Sequence, residues 1–361
     1  VALSVLIAGG GTGGHLYPGI AVARALLARV PDAQVTFVGT AAGIESRVVP
    51  REGFQLEVIR SAGLKGKSLP SLIRGLGLLP ASALDAWRVI SRRRPSVVIG
   101  VGGYSSGPVV ALAAVRQIPT LLMEQNAVPG LTNRLLASMV SAAAVTYEEG
   151  RTAFGAKAFV AGNPVRPEFF CGEAYANHSS PPGAARVLVF GGSQGAHAIN
   201  VAMVEAAPRL VAAAPAVAIT HQSGERDLEM VRDGYRRAGL EARVEPFLFA
   251  MDREMNAADL VVCRSGATTL AELTAAARPS ILVPFPGATD DHQRRNAEAL
   301  VKAGAAKMID QRELSGERLA TELLALAAND IERRRMSKAA AQLARPDAAR
   351  VIVDRILGLA S

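Results

Sequence analysis

Residues 6–19 read LIAGGGTGGHLYPG, in which five glycines at 9–14 and then one histidine stand directly behind a short apolar run. The run, LSVLIA, has the makings of a strand, and HLYPGIAVARALLARV after the glycines carries apolar residues at helical spacing. The stretch therefore predicts strand, glycine loop and helix. Glycines at 9, 10, 11, 13 and 14 permit positive φ and let a ligand approach the backbone closely. Amides at the start of the helix favour an anionic group such as phosphate.

A dinucleotide fingerprint is the obvious rival, because Gly9, Gly11 and Gly14 satisfy G-x-G-x-x-G. Such a site also wants an acidic residue near the end of the second strand, to hold the ribose hydroxyls. Here that strand, AQVTFVGT, closes on Gly39 and Thr40. The loop also carries His15, which the fingerprint does not require. The bland alternative is a glycine turn with a solvated or capping histidine.

At 361 residues, half of them apolar, the chain has the length and the buried area for two domains of ordinary size. Two cysteines suggest no disulfide framework and a reducing compartment. VALSVLIAGG lacks the basic leader of a signal peptide, and its apolar run serves as the first strand. Pro95 to Val115 holds no charge, yet GVGGYSSGP at its centre would break a spanning helix, so it reads as another strand, glycine loop and helix.

The net charge of +8 is unevenly placed: residues 1–163 hold 16 Lys and Arg against 8 Asp and Glu, and the remainder 24 against 24. Within the first half, Lys65, Lys67, Arg74, Arg88, Arg92, Arg93 and Arg94 face only Asp85 in their own stretch. Leu69, Leu72, Ile73, Leu76, Leu79 and the single tryptophan, Trp87, are interleaved with them. Basic residues beside exposed apolar ones suit an anionic membrane surface, at about 1 kcal/mol for each cation near the lipid. The alternative is a solvated basic face whose apolar residues turn inward. Nucleic acid is disfavoured, because the chain is aromatic-poor and carries no recognisable nucleic-acid motif.

Past Arg166, PEFFCGEAYANHSSPPGAAR reads as a linker and entry loop. RVLVFGGSQGAHAINVAMVEAAPRL then repeats strand, glycine loop and helix. The restart predicts two similarly built α/β domains, Rossmann-like and doubly wound, with a cleft between them and ligands beyond the carboxyl ends of the strands. In DLVVCRSGATTLAELTAAARPSILVPFP a strand ends at Arg264, turns through Ser265 and Gly266, and opens a helix with Ala267, Thr268 and Thr269. The first-turn amides and hydroxyls suit a diphosphate, and Glu272, one turn on, can accept both hydroxyls of a ribose. A capped helix with a solvated glutamate is the alternative. GATDDHQRRNA sets Asp290, Asp291, His292, Gln293 and Asn296 behind the next strand, where neutral donors can hold sugar hydroxyls. Two adjacent aspartates and one histidine lack the spaced ligands of a metal motif, so no metal is expected.

Seven motifs in order, GGGTGGHLYPG, GVGGYSSGP, EQNAVPGLTNR, GNPVR, VFGGSQGA, CRSGATTLAEL and DDHQRRNA, resemble the MurG family across nearly the whole chain. The resemblance implies a GT-B fold. Residues 1–163 would form an acceptor-binding, membrane-facing domain, and 164–344 a UDP-N-acetylglucosamine-binding domain, with the closing helix at about 345–361 packed back on the first. It implies inverting transfer of N-acetylglucosamine from UDP-N-acetylglucosamine to the muramyl C4 hydroxyl of undecaprenyl-pyrophosphoryl-muramyl-pentapeptide in peptidoglycan synthesis. No cofactor is expected, and the chain would sit peripherally on the cytoplasmic face of the plasma membrane. The family's donor site falls on Thr12, Gly13, Gly14, Asn126, Arg166, Ser193, Leu248, Ala267, Thr268, Thr269, Leu270, Ala271, Glu272 and Gln293, with Tyr104, Gly266, His292 and Asn296 as further candidates.

Leu248 cannot hydrogen-bond through its side chain, so its backbone would read the uracil edge while Phe247 and Met251 pack nearby. His292 stands where other members have glutamine, and the loop before it is one residue longer. Without a metal, the leaving diphosphate would fall to the helix behind Gly266, to Ser193, to Arg166 and to the glycine-loop amides. His15 is the expected base, with an ordinary pKa of about 6.5; Glu124 and the Asp290, Asp291 pair are lesser candidates. Rival readings are a nicotinamide oxidoreductase, a related GT-B enzyme such as a UDP-sugar epimerase or glycolipid synthase, and a non-catalytic membrane adaptor.

Overall fold

The computed structural model describes residues 3–61, 77–170, 184–192, 194–213, 216–288 and 291–361. Two compact units are built from it: residues 1–165 with 345–361, and residues 166–344.

The first unit is a seven-stranded parallel sheet in the order β3-β2-β1-β4-β5-β6-β7. Its strands are β1 (Ser4–Gly9), β2 (Gln34–Gly39), β3 (Gln55–Val58), β4 (Val97–Gly102), β5 (Thr120–Glu124), β6 (Ala142–Val145) and β7 (Ala158–Val160). β4 and β5 are buried at every position, and helices cover both faces of the sheet, which is why they read as unbroken apolar runs. The period of two still sorts the side chains of β1. Val5 and Ile7 join one core cluster, with Leu16, Ile20 and Leu26 of α1 (Gly13–Arg29), while Leu6 and Ala8 join the other, with Ala86, Val89 and Ile90 of α3 (Leu79–Arg93). Between them in sequence lies the short α2 (Glu45–Arg51), and α4 (Ser106–Val115) and α5 (Leu131–Leu136) follow. The uncharged stretch Pro95 to Val115 is thus β4, a glycine loop and α4, and no helix among the described residues is long and apolar enough to cross a membrane.

The second unit holds a six-stranded parallel sheet ordered β10-β9-β8-β11-β12-β13. These are β8 (Ala184–Phe190), β9 (Ala216–Gln222), β10 (Ala242–Glu245), β11 (Leu260–Cys263), β12 (Ser280–Leu282) and β13 (Ala306–Met308). The helices are α6 (His197–Val211), α7 (Leu228–Ala238), α8 (Met251–Ala257), α9 (Ala267–Ala275), α10 (His292–Lys302), α11 (Gly316–Ala328) and α12 (Asp330–Leu343). After α12 the chain returns to the first unit, where Ile352, Val353 and Ile356 of α13 (Ala348–Ala360) are buried in the core beneath β1 and α1. Both units are doubly wound Rossmann-like folds.

Strand order reverses between β1 and β4 in the first sheet and between β8 and β11 in the second. Such switch points splay the following loops and open a crevice at the carboxyl edge. All the glycine motifs singled out in the sequence lie at those edges.

Candidate active site

In the first unit the loops after β1 and β4 meet backbone to backbone. A Cβ on Gly103, at φ +81°, would lie 2.6 Å from the Gly10 carbonyl oxygen. Gly102, at φ +97°, leaves room for the ring of His15, because a Cβ there would be 2.8 Å from its Cδ2 and 3.1 Å from its Nε2. Thr12 adopts the extended conformation of a helix N-cap before α1, and its Oγ1 lies 3.3 Å from His15 Nδ1. With a proton on Nδ1 donated to that hydroxyl, the basic lone pair falls on Nε2. The Tyr104 ring lies beside Gly11, in contact range of where a Cβ would be. The unit thus gathers Thr12, Gly13, Gly14, His15 and Tyr104 at one edge.

Asn126 follows β5, the next strand along, and is tied to Glu124. The buried Glu124 carboxylate accepts from Asn126 N (3.0 Å), Asn126 Nδ2 (3.2 Å), Gly130 N (3.0 Å) and Asn133 Nδ2 (2.8 Å). Burial pushes its pKa up, against the pull of those donors. Four donors on two oxygens make Glu124 the framework of the EQNAVPG loop and leave it poorly disposed to take a proton from a substrate.

The sequence reading also missed a carboxylate. Glu45, the first residue of α2, is almost fully buried, and it accepts from Gly11 N (2.8 Å), Thr40 N (2.8 Å) and Thr40 Oγ1 (2.9 Å). Gly10, Gly39 and Gly43 provide its room, since a Cβ on any of them would collide with the Glu45 side chain. The second strand ends without an acid, as read, but a helix delivers one to that place.

In the second unit Gly266 caps α9, so the backbone amides of its first turn have no partner within the helix. Glu272 lies further along α9. Burial pushes its carboxyl up to about 7; Arg166 pulls the value down and Asp252, on α8, pushes it further up. Arg166 stacks on Phe169, 5.0 Å from the ring centre, at the head of a turn whose Glu168 carbonyl accepts from Asn256 Nδ2 of α8 (3.0 Å). Gln293, in the first turn of α10, accepts from Phe285 N through Oε1 (3.0 Å), so its amide nitrogen is the end left to donate to a ligand. Its carbonyl accepts from the buried Ser265 Oγ (2.8 Å), which fastens α10 to the start of α9. Arg264 is structural: it donates to the carbonyls of Val283 (3.0 Å) and Pro284 (3.2 Å) and to Gln311 Oε1 (2.7 Å), and it stacks on Phe285. His292 opens α10 behind Asp291, which adopts a left-handed φ of +53°, and Asn296 is fully buried in the same helix.

Leu248 is buried, and its N–H donates to Gln222 Oε1 (2.8 Å), so its carbonyl is the backbone group left to meet a ligand. Gln222 Nε2 in turn donates to the Gly192 carbonyl (2.7 Å), so one buried amide links the glycine loop after β8 to the Leu248 segment that follows β10. Phe247 packs edge-on against Phe249, with ring centres 5.0 Å apart. Ser193 and Asp290 lie outside the described residues, as do Lys65, Lys67 and Arg74. No group of three or more His, Cys, Asp and Glu placed to hold a metal ion occurs among the described residues.

The basic stretch is less bare than its sequence suggests. Arg92 and Arg93 both pair with Glu57 of β3, at 3.0 and 2.7 Å, and Arg60 makes a two-pronged pair with Asp85. Arg94 ends α3 in a left-handed conformation.

Family models for the glycosyltransferase family 28 N-terminal and C-terminal domains match residues 5–145 and 186–352. The fold and its switch-point loops are therefore those of a GT-B glycosyltransferase. Over 353 residues, 98% of this chain and 92% of the relative, the sequence is 50% identical to the UDP-N-acetylglucosamine--N-acetylmuramyl-(pentapeptide) pyrophosphoryl-undecaprenol N-acetylglucosamine transferase of Anaeromyxobacter sp. (strain K). The crystal structure of MurG from Acinetobacter baumannii superposes with a TM-score of 0.79 at 30% identity, covering 99% of each chain. The chain belongs to the MurG family. A UDP-GlcNAc 2-epimerase from Neisseria meningitidis shares the fold alone, with a TM-score of 0.70 at 12% identity over 99% of this chain and 100% of that one.

Proposed function

We propose that the protein transfers N-acetylglucosamine from UDP-N-acetylglucosamine to the C4 hydroxyl of an undecaprenyl-pyrophosphoryl-muramyl-pentapeptide, with inversion at the anomeric carbon. The single observation that carries the donor half is the α9 turn: a capped helix start for a diphosphate, with the Glu272 carboxylate on the same helix for the ribose diol. Arg166, set beside Glu272, supplies positive charge against the leaving diphosphate. The Leu248 carbonyl takes the uracil, and the Gln293 amide nitrogen donates to sugar hydroxyls. Thr12, Gly13, Gly14, Asn126 and the further candidates Tyr104, Gly266 and His292 complete the proposed contacts, whereas Asn296, fully buried in α10, offers a ligand no surface and is set aside.

The acceptor hydroxyl must lose its proton as it attacks. We assign that proton to His15 Nε2, with Nδ1–H held on the Thr12 hydroxyl. The diphosphate departs with negative charge developing beyond what the ground state carries, and fixed amide dipoles and a guanidinium stabilise that change without reorganising. Release of UDP from UDP-N-acetylglucosamine, measured with and without the lipid-linked muramyl acceptor, tests the proposal. Turnover that depends on the acceptor supports it, and UDP release or 2-epimerisation without any acceptor points to the epimerase reading.

The acceptor is held in a bilayer, and the first unit has a surface suited to one. Leu79, Leu84 and Trp87 are exposed on α3 beside Arg88 and Arg92, and Val115, Leu135 and Met139 are exposed on or next to the neighbouring α4 and α5. With two arginines already paired to Glu57, apolar contact should matter more than charge alone. Trp87→Glu is expected to reduce co-sedimentation with anionic vesicles by about tenfold, while high salt on the unaltered protein costs a smaller factor. Equal partitioning of the two proteins would return α3 to the status of a solvated face. The proposed location is peripheral, on the cytoplasmic face of the plasma membrane.

A further inference from the structure

The transfer chemistry above makes no use of Glu45, although three glycines are spent on giving its carboxylate room. Among the described residues it forms no ion pair, so its interactions are the hydrogen bonds from Gly11 N, Thr40 N and Thr40 Oγ1. A buried carboxylate held only by dipoles is costly to place, and it persists where the groups it organises need a fixed position.

Those groups are identifiable. Gly9, Gly10 and Gly11 sit at φ +151°, +149° and +84°, backbone that glycine reaches easily and also leaves easily. Three consecutive glycines lose much entropy on ordering, so such a loop needs an anchor from elsewhere in the fold. Glu45 is that anchor, and it grips Gly11, the residue before Thr12. Thr12 caps α1 and places its hydroxyl 3.3 Å from His15 Nδ1. The second unit makes the matching junction differently: the loop after β8 is held by the neutral amide of Gln222, which donates to the Gly192 carbonyl and turns its own oxygen to the Leu248 N–H. A carboxylate bound to the loop's own N–H repels an incoming phosphate, whereas an amide does not.

We propose that Glu45 is a positioning residue of the transfer step. Its carboxylate is an internal anion that takes the place a phosphate would have on the first unit's glycine loop, and it fixes Thr12 and, through Thr12, the ring of His15. This rests on the reading of His15 as the base.

The experiment compares His15→Ala, Glu45→Gln, Thr40→Val and the double variant Glu45→Gln/His15→Ala, with kcat, KM for UDP-N-acetylglucosamine and the Kd of UDP measured for each. Glu45→Gln is expected to lose about 10- to 100-fold in kcat, with the UDP Kd, which depends on groups of the second unit, within about twofold of the unaltered protein, the signature of a displaced catalytic group. Thr40→Val keeps the side-chain volume and the backbone N–H, and should lose about threefold in kcat. The double variant should be no slower than His15→Ala alone, because Glu45 acts through His15. Unaltered kcat in Glu45→Gln, a multiplicative loss in the double variant, or a parallel rise in KM and UDP Kd would overturn the proposal. If Glu45→Gln does not fold, Thr40→Val decides, and full kcat in that variant overturns it. Full activity of His15→Ala removes the base reading and this inference together, whereas an inactive His15→Ala beside a fully active Glu45→Gln removes this inference alone.

Discussion

His15→Ala is expected to lower kcat by about 10²- to 10⁴-fold, the range for removing a positioned general base, and to leave the Kd of UDP unchanged. The separation follows from placement. His15 belongs to the first unit, on α1, whereas the groups assigned to the nucleotide, Glu272, Arg166 and Leu248, belong to the second. Gln at position 15 would retain a hydrogen-bonding side chain but cannot accept a proton at neutral pH, so it should be as slow as alanine. Steady-state turnover with a lipid-linked acceptor, paired with calorimetric UDP titration, makes the measurement. Equal losses in kcat and in UDP affinity would place His15 in binding, and full turnover would remove it from the reaction.

Glu272→Gln should weaken UDP binding by about 10- to 100-fold, the loss of two charge-assisted hydrogen bonds from a ribose diol. Its pH behaviour distinguishes it further. Burial raises the Glu272 carboxyl to about 7, so the ionised form that accepts both hydroxyls is depleted below that pH. UDP affinity of the unaltered protein should therefore fall by up to about tenfold per pH unit below 7, and the Gln variant should lack this component. Ionisation of the nucleotide's own phosphate is common to both proteins and cancels in the comparison.

The stability effect has the opposite sense. A carboxyl whose pKa is raised on folding binds more protons in the folded state than in the unfolded one, so stability falls as pH climbs from about 4.5 to about 7. The penalty is fully present above that window and absent below it. Without ligand, Glu272→Gln should accordingly melt at a higher temperature than the unaltered protein at pH 8, and the gap should close at pH 4. A variant that binds UDP less well yet melts higher would mark Glu272 as a residue kept for its ligand at a cost to the fold.

The strand, glycine loop and helix units were legible in the sequence because each is local. The glycines at the ends of β1 and β4 are needed where they stand, and the alternation of clusters along β1 follows its period of two. The resemblance of seven ordered motifs gave the fold class and the family. What the sequence hid lies in contacts between distant residues. Glu45 reaches Gly11 across 34 positions, Glu57 meets Arg92 and Arg93 across 35 and 36, and Gln222 takes the Leu248 N–H across 26. No local pattern announces any of them. Glu124, a lesser candidate for the base, is held by four donors, a fact that only the folded loop reveals.

The last helix has its own implication for biosynthesis. Ile352, Val353 and Ile356 complete the core beneath β1 and α1, yet they leave the ribosome only after residues 166–344 have been made. The second lobe is contiguous and can close during translation, while the first waits with an apolar groove open along α1 until α13 arrives. Of the two lobes, the one translated first is the one finished last, and it is the first lobe that nascent-chain chaperones would have to shield.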